Sequence, residues 1–250
     1  MRSLSYFNGK KVLITGGTAG IGLALYNRLK DQCEHIYLCG RNQEKLNKLC
    51  VGFDHVTPLI FDLLDKQKLQ ESLRTVTEVD IVIFNAGDCL YIDYPSFNAE
   101  AFEKTFQINF MSVVQSLEVL FPVLRKSKSP HITMISSSVA YLPIPRAEAY
   151  GSSKAAMNYL NESLYYSCQK DNIQFTSICP GFIETPLTDK NDFPMPFIMS
   201  SEKASKKITY AISKQKVEYH FPKKLTLYFK FLNALPYKIK KPLMKKFIRG

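Results

Sequence analysis

Short apolar runs and helical stripes alternate along most of this chain. Runs rich in Val, Ile, Leu and Phe at 10–15, 35–39, 55–61, 79–84, 130–136 and 173–179 predict strands, and a shorter one falls near 217–219. Between them the spacing predicts helices near 20–31, 42–50, 65–76, 99–126 and 150–170. Such alternation argues for β-α-β units and therefore for an α/β fold built on a parallel sheet. The stretch 186–200 breaks the rhythm with Pro186, Pro194 and Pro196, and is expected to be a loop or lid.

Beyond Pro222 the pattern changes. Lys223, Thr226, Lys230 and Asn233 recur at helical spacing against Leu, Phe and Tyr. After Pro236, Ile239, Leu243, Met244 and Phe247 oppose Lys238, Lys241, Lys245 and Arg249. Two short basic amphipathic helices, broken by Pro236 and Pro242, suit an anionic membrane surface. They equally suit docking on the protein's own core or on a second subunit. The expected division is a main domain over 1–222 and an amphipathic extension over 223–250.

Composition sharpens this division. A chain of 250 residues that is 46% apolar can bury one sizeable core. Its net charge of +11 is unevenly placed, because the nine Lys and Arg from Lys223 onward meet no acid and the remainder carries 24 basic against 22 acidic residues. Basic residues interleaved with aromatics are a loose signal for nucleic acid, and no nucleic-acid partner is expected. The six cysteines form no C-x-x-C pair and no cluster with histidine, so they read as reduced core residues of a cytoplasmic protein, and no metal site is expected. No apolar segment of ~20 residues stands out as a membrane span or signal sequence.

Two motifs carry candidate chemistry. The first is Thr15-Gly16-Gly17-Thr18-Ala19-Gly20-Ile21-Gly22, where an apolar strand runs into a glycine-rich turn and a helix with Ile21, Leu25 and Leu29 on one stripe. Gly16, Gly20 and Gly22 permit a tight turn, close backbone approach and close helix packing, and the helix N-terminus offers free N–H groups to a pyrophosphate. The spacing is G-x-x-x-G-x-G rather than G-x-G-x-x-G. The second motif places Ser137 thirteen residues before Tyr150 and Lys154 four residues after it. A serine hydroxyl can hold a reacting oxygen, a phenol can give or take its proton, and an ammonium on the same helix face can lower the phenol pKa. Tyr-x-x-x-Lys alone says little, since six other pairs such as Tyr6/Lys10 and Tyr26/Lys30 share the spacing. Tyr150 differs in its setting, with serines at the carboxyl end of an apolar run before it and small residues after it.

Together these motifs make residues 8–222 resemble the short-chain dehydrogenase/reductase family, in its compact single-domain branch. Supporting segments are Asp62-Leu63, Asn85-Ala86-Gly87, Asn109 and Pro180-Gly181-Phe182-Ile183-Glu184-Thr185. The resemblance implies a Rossmann-type doubly wound sheet and hydride transfer between NAD(P) and a carbonyl or alcohol. It implies catalytic roles for Asn109, Ser137, Tyr150 and Lys154, the asparagine holding a water that links the lysine to solvent. It implies cofactor contacts from Gly16, Thr18, Gly20, Ile21, Gly22, Arg41, Asp62, Asn85, Ala86, Gly87, Tyr150, Lys154, Ile183 and Thr185. Asp62 matches the aspartate on the adenine amine, and Thr185 the nicotinamide carboxamide contact. Phe84 stands where the family usually has a first Asn. Ser138 sits in the family's Ser-Val-Ala context but twelve residues before Tyr150, so Ser137 is preferred and Ser138 is the alternative. Gly40-Arg41 after the second strand offers a cation and no carboxylate, which favours NADP(H) over NAD(H). The substrate is expected to be an apolar carbonyl or alcohol, held among Cys89, Leu90, Tyr141, Leu142, Phe182, Ile183 and the 187–200 loop. A homo-oligomer is expected, and a cofactor-binding sensor with little catalysis is the rival reading.

Overall fold

The computed structural model describes residues 3–249. Seven parallel strands form the central sheet: β1 (Lys11–Thr15), β2 (His35–Gly40), β3 (Val56–Ile60), β4 (Ile81–Phe84), β5 (His131–Ile135), β6 (Gln174–Pro180) and β9 (Glu218–Phe221). Their order is β3-β2-β1-β4-β5-β6-β9, with every pair parallel. Chain order reverses between β1 and β4, which opens a crevice at the carboxyl ends of the strands.

The strands are apolar on both faces because both faces are covered. Val12 and Ile14 of β1 and Ile81 and Ile83 of β4 pack into one layer with Leu25, Tyr26 and Leu29 of α1 (Gly20–Leu29). Leu13, Val82 and Phe84 point the other way, to Leu69 and Leu73 of α3 (Lys66–Arg74) and Leu117 and Leu120 of α5 (Ser112–Leu124). Helix α2 (Gln43–Cys50) completes the first face with Leu46. Helix α6 (Glu148–Ser167) contributes Met157 to the second.

The predicted helix over 99–126 is α4 (Ala99–Phe106), a π-helical turn Gln107–Met111, then α5. This continuous run of 26 residues is long and apolar enough to cross a membrane by length and composition, contrary to the expectation of no such segment. Its stripe of Val113, Leu117, Leu120 and Leu124 instead fills the core. Helix α7 (Ser201–Ser213) was not expected. It is capped by Ser200 Oγ, which accepts from Lys203 N, and packs Ala204, Ile208, Ala211 and Ile212 beside α1. Two short strands, β7 (Ile183–Glu184) and β8 (Met199–Ser200), pair in parallel and pin both ends of the irregular 186–198 loop.

The segment after Pro222 forms α8 (Lys223–Ala234) and α9 (Tyr237–Arg249). Helix α8 docks on the chain itself: Leu225, Phe229 and Leu232 are buried with Leu142, and Tyr141, Ile144 and Phe182 pack against them. The expected polar stripe is therefore broken at Thr226, which is fully buried. Its hydroxyl pairs with His220 Nδ1 at 2.6 Å and donates to the Pro222 carbonyl at 3.1 Å. Phe247 and Arg249, part of the expected amphipathic pattern, have side chains outside the described residues.

Candidate active site

The crevice between β1 and β4 is lined by the glycine-rich turn. Gly16 (φ 67°) and Gly20 (φ 51°) hold left-handed backbone that favours glycine. A Cβ on Gly16 would lie 2.9 Å from Ala86 Cα, so the turn is shaped to sit against the end of β4. The turn is fastened by Thr15 Oγ1, which accepts from Asn85 N (2.9 Å) and Ala86 N (3.0 Å). Asn85 Nδ2 in return donates to Thr15 O (3.0 Å). Helix α1 begins at Ala19 without a side-chain cap, leaving its first N–H groups to face the crevice.

Thr18, Ile21, Arg41, Asp62, Asn85, Ala86, Gly87 and Thr185 line the same cleft, together with Gly16 and Gly20. Gly22 does not. It packs so closely on the Gly16 carbonyl that any side chain would collide, so its contribution is helix packing rather than contact with a ligand. Leu187 and Lys190, from the loop after β7, also line the cleft. Both belong to the 187–200 loop expected to wall the pocket, although neither was singled out by number.

At the inner end, Ser137, Tyr150, Lys154 and Ile183 come together with Ser136, Gly87 and Gly181. Strand β5 delivers the serines at its carboxyl end, and α6 carries Tyr150 and Lys154 one turn apart. Ser137 and Tyr150 line this inner end together, and Ser137 Oγ accepts from Val139 N at 3.3 Å. Ser138 begins a 3-10 turn (Ser138–Ala140) and, unlike Ser137, does not line the cleft. Ser136 Oγ donates to the Lys154 carbonyl at 3.0 Å, fixing strand to helix.

Burial governs the titration of this cluster. It raises the Tyr150 phenol well above its ordinary value, the neighbouring Cys89 thiol raises it further, and the Ser137 hydrogen bond opposes them. Lys154 lies one helical turn away on α6. Its Nζ donates to Ile135 O at 2.8 Å and lies 5.8 Å from the centre of the tyrosine ring. Burial lowers Lys154 itself from 10.5 to about 8.

Asn109 sits in the π-helical turn, fully buried and outside the cleft. Its Nδ2 donates to Asp88 O (2.9 Å) and Ser153 Oγ (3.0 Å), and its Oδ1 accepts from Asp88 N (2.8 Å). The side chain is committed to holding the Gly87–Asp88 loop against α6. It is a positioning residue in this arrangement. A Cβ on Gly87 would come within 3.3 Å of Lys154 Nζ, so that loop is pressed onto the lysine.

The expected substrate walls are only partly at the cleft. Ile183 lines it, but Leu142 is fully buried beneath α8. The lid is tied down by Arg146, whose Nε donates to Asp93 and Nη1 to Asp192, each at 2.8 Å. Tyr91 donates to Asn191, and Phe193 packs edge-on against Tyr91 and Phe182.

The family model for short chain dehydrogenase matches residues 10–194, most of the chain. The chain is a short-chain dehydrogenase. This dehydrogenase is 27% identical over 209 residues to an uncharacterized oxidoreductase of Staphylococcus epidermidis, covering 82% of this chain and 91% of that one. It is 33% identical over 192 residues to a tropinone reductase homolog of Arabidopsis thaliana, covering 73% and 71%. Among solved structures, it resembles a short chain dehydrogenase from Burkholderia cenocepacia in complex with NADP, with TM-score 0.84, 20% identity and coverage of 95% and 98%. An L-sorbose reductase from Gluconobacter frateurii, complexed with NADPH and L-sorbose, gives TM-score 0.76 at 23% identity, covering 86% and 95%. The dehydrogenase is thus an NAD(P)-dependent oxidoreductase whose substrates are small molecules.

Proposed function

We propose that this dehydrogenase interconverts an apolar carbonyl compound and its alcohol, using NADP(H), through Ser137, Tyr150 and Lys154. The observation that carries the reading is the convergence of Ser137, Tyr150 and Lys154 on one cleft at the carboxyl ends of β4 and β5. The residues present suit a dinucleotide. The uncapped start of α1 faces the pyrophosphate position, Asp62 the adenine end, and Gly40-Arg41 leaves room and a cation for a 2′-phosphate.

Bound NADPH supplies the hydride. Ser137 and Tyr150 hold the carbonyl oxygen, and Tyr150 Oη gives it a proton as carbon is reduced. Burial keeps that phenol protonated, which suits it to act as the acid in the reductive direction. Lys154 supplies a donor at the floor of the site for ribose hydroxyls and, as an ammonium, offsets the negative charge left on the phenol once it has given its proton. Thr185 and Ile183 bound the nicotinamide end. An apolar substrate is supported by Leu187, Phe193 and Phe182 beside the lid. A panel of apolar aldehydes, ketones and alcohols, followed by NADPH and NADH absorbance, tests the reading. Turnover of several such compounds supports it. Tight cofactor binding with no turnover across the panel would favour the sensor reading.

A further inference from the structure

Helices α8 and α9 carry apolar residues on two faces. The inner face is accounted for by Leu225, Phe229 and Leu232. The outer face is not: Leu227, Tyr228 and Phe231 are 53, 47 and 61% exposed, and Tyr237 and Ile239 follow at 71 and 52%. Leu227 and Tyr228 each lie one turn from Phe231, so the three form a single ridge on α8. Lys224 opens that ridge, and Lys238, Lys241 and Lys245 stand exposed along α9. From Lys223 to the end of the chain there is no acidic residue to neutralise them. Lys230 is drawn back to Glu218 and Lys240 to Asn233, so these two belong to the protein's own surface.

We propose that this outer face binds an anionic phospholipid bilayer. Clustered aromatic and aliphatic side chains ringed by lysines that have no acidic partner among the described residues are what the headgroup boundary accommodates: apolar groups enter the acyl edge and ammonium groups meet lipid phosphates. A face on a second copy of this chain would bring the same lysines together, and their repulsion opposes it. The bilayer face also lies close to the chemistry. Gly181 N donates to Phe221 O at 2.7 Å just before α8, and a Cβ on Gly181 would meet Leu225 Cδ2 at 2.9 Å. Gly181 itself lines the cleft beside Tyr150. One helix diameter, ~10 Å, separates the proposed bilayer face from that wall.

The test uses the full chain and vesicle co-sedimentation. Vesicles of mixed phosphatidylserine and phosphatidylcholine should carry the protein down at low salt. Pure phosphatidylcholine should not, and raised salt should release it. Leu227→Ser combined with Phe231→Ser should weaken partition by ~10-fold or more, because both sites are exposed and the apolar insertion is lost. Lys238→Gln, Lys241→Gln and Lys245→Gln together should weaken it on the order of 100-fold. Both variants should keep the parent's melting temperature and NADPH binding, which separates this surface from the site. The proposal is overturned if the parent stays in the supernatant with anionic vesicles, or if both variants partition like the parent. It is equally overturned if sedimentation velocity shows that the Leu227/Phe231 variant turns a dimer into a monomer, because the ridge would then be covered by a second copy.

Discussion

Lys154 shows how one residue's surroundings set its chemistry. Burial lowers it from 10.5 to about 8, so the folded protein releases this proton earlier than the unfolded chain does. Between about pH 8 and 10.5 the unfolded state binds more protons, and this group makes stability rise with pH. Its effect on activity has the opposite sign, because the charged donor is lost in the same window. Reductive kcat/KM should therefore fall above about pH 8, a limb that reports the free enzyme. Lys154→Arg, which stays charged, should retain activity above that pH where the parent loses it; an unmoved limb would assign it to another group. Arg41 sets a second residue-scale test. A bidentate arginine–phosphate contact is strong and specific, so Arg41→Asp should move the NADPH-to-NADH ratio of kcat/KM by ~100-fold or more toward NADH. An unchanged ratio in steady-state kinetics would place 2′-phosphate recognition elsewhere.

At the scale of elements, β5 is held by a buried histidine. His131 is fully buried; Tyr6 Oη lies 3.1 Å from Nδ1 and Thr176 Oγ1 2.8 Å from Nε2, joining the N-terminal turn and β6 to β5. Burial lowers its pKa from 6.5 to about 3, so the fold demands the neutral ring. The contribution is fully present above pH 6.5 and is lost as pH falls toward 3, amounting to about 2 kcal/mol between pH 7 and 5. His131→Asn should be less stable at pH 7 but should flatten that part of the acid limb in denaturant titrations; an equally steep limb would exclude His131 as its source. The strands were legible because both faces are buried, which leaves continuous apolar runs. Helix α7 was overlooked although Ala204, Ile208, Ala211 and Ile212 keep a helical period, since Ser, Thr and Lys dilute the apolar signal. Helix α8 was read as a helix with one position misplaced, since Thr226 of its polar stripe is buried. Its sequence has apolar residues on both sides, and only the docking against Leu142 decides which side is inside.

Across the whole molecule, the C-terminal segment and the catalytic cleft are mechanically joined. Phe229 is almost fully buried in the cluster that roofs Leu142. Phe229→Ala should cost roughly 3–5 kcal/mol, a drop of roughly 10 °C in Tm for a chain of this size. A melting temperature within a degree or two of the parent would mean that α8 is only loosely attached. Most of the candidate site was readable because its residues lie in contiguous motifs at strand ends, where the sheet topology must gather them. Leu187 and Lys190 were legible only as part of the 187–200 loop, and Ser136 was not singled out, because a loop path or a neighbour's hydrogen bond brings them in. The commitment of Asn109 to Asp88 and Ser153 was equally hidden. In the proposed reaction Tyr150 Oη moves the proton while its ring merely packs. This role is tested most directly by single-turnover absorbance of NADPH with a reactive carbonyl compound, comparing the parent with Tyr150→Phe and titrating NADPH fluorescence alongside. The account predicts NADPH affinity within a few-fold of the parent and a hydride-transfer rate lower by at least ~100-fold. A Tyr150→Phe rate within tenfold of the parent would contradict it.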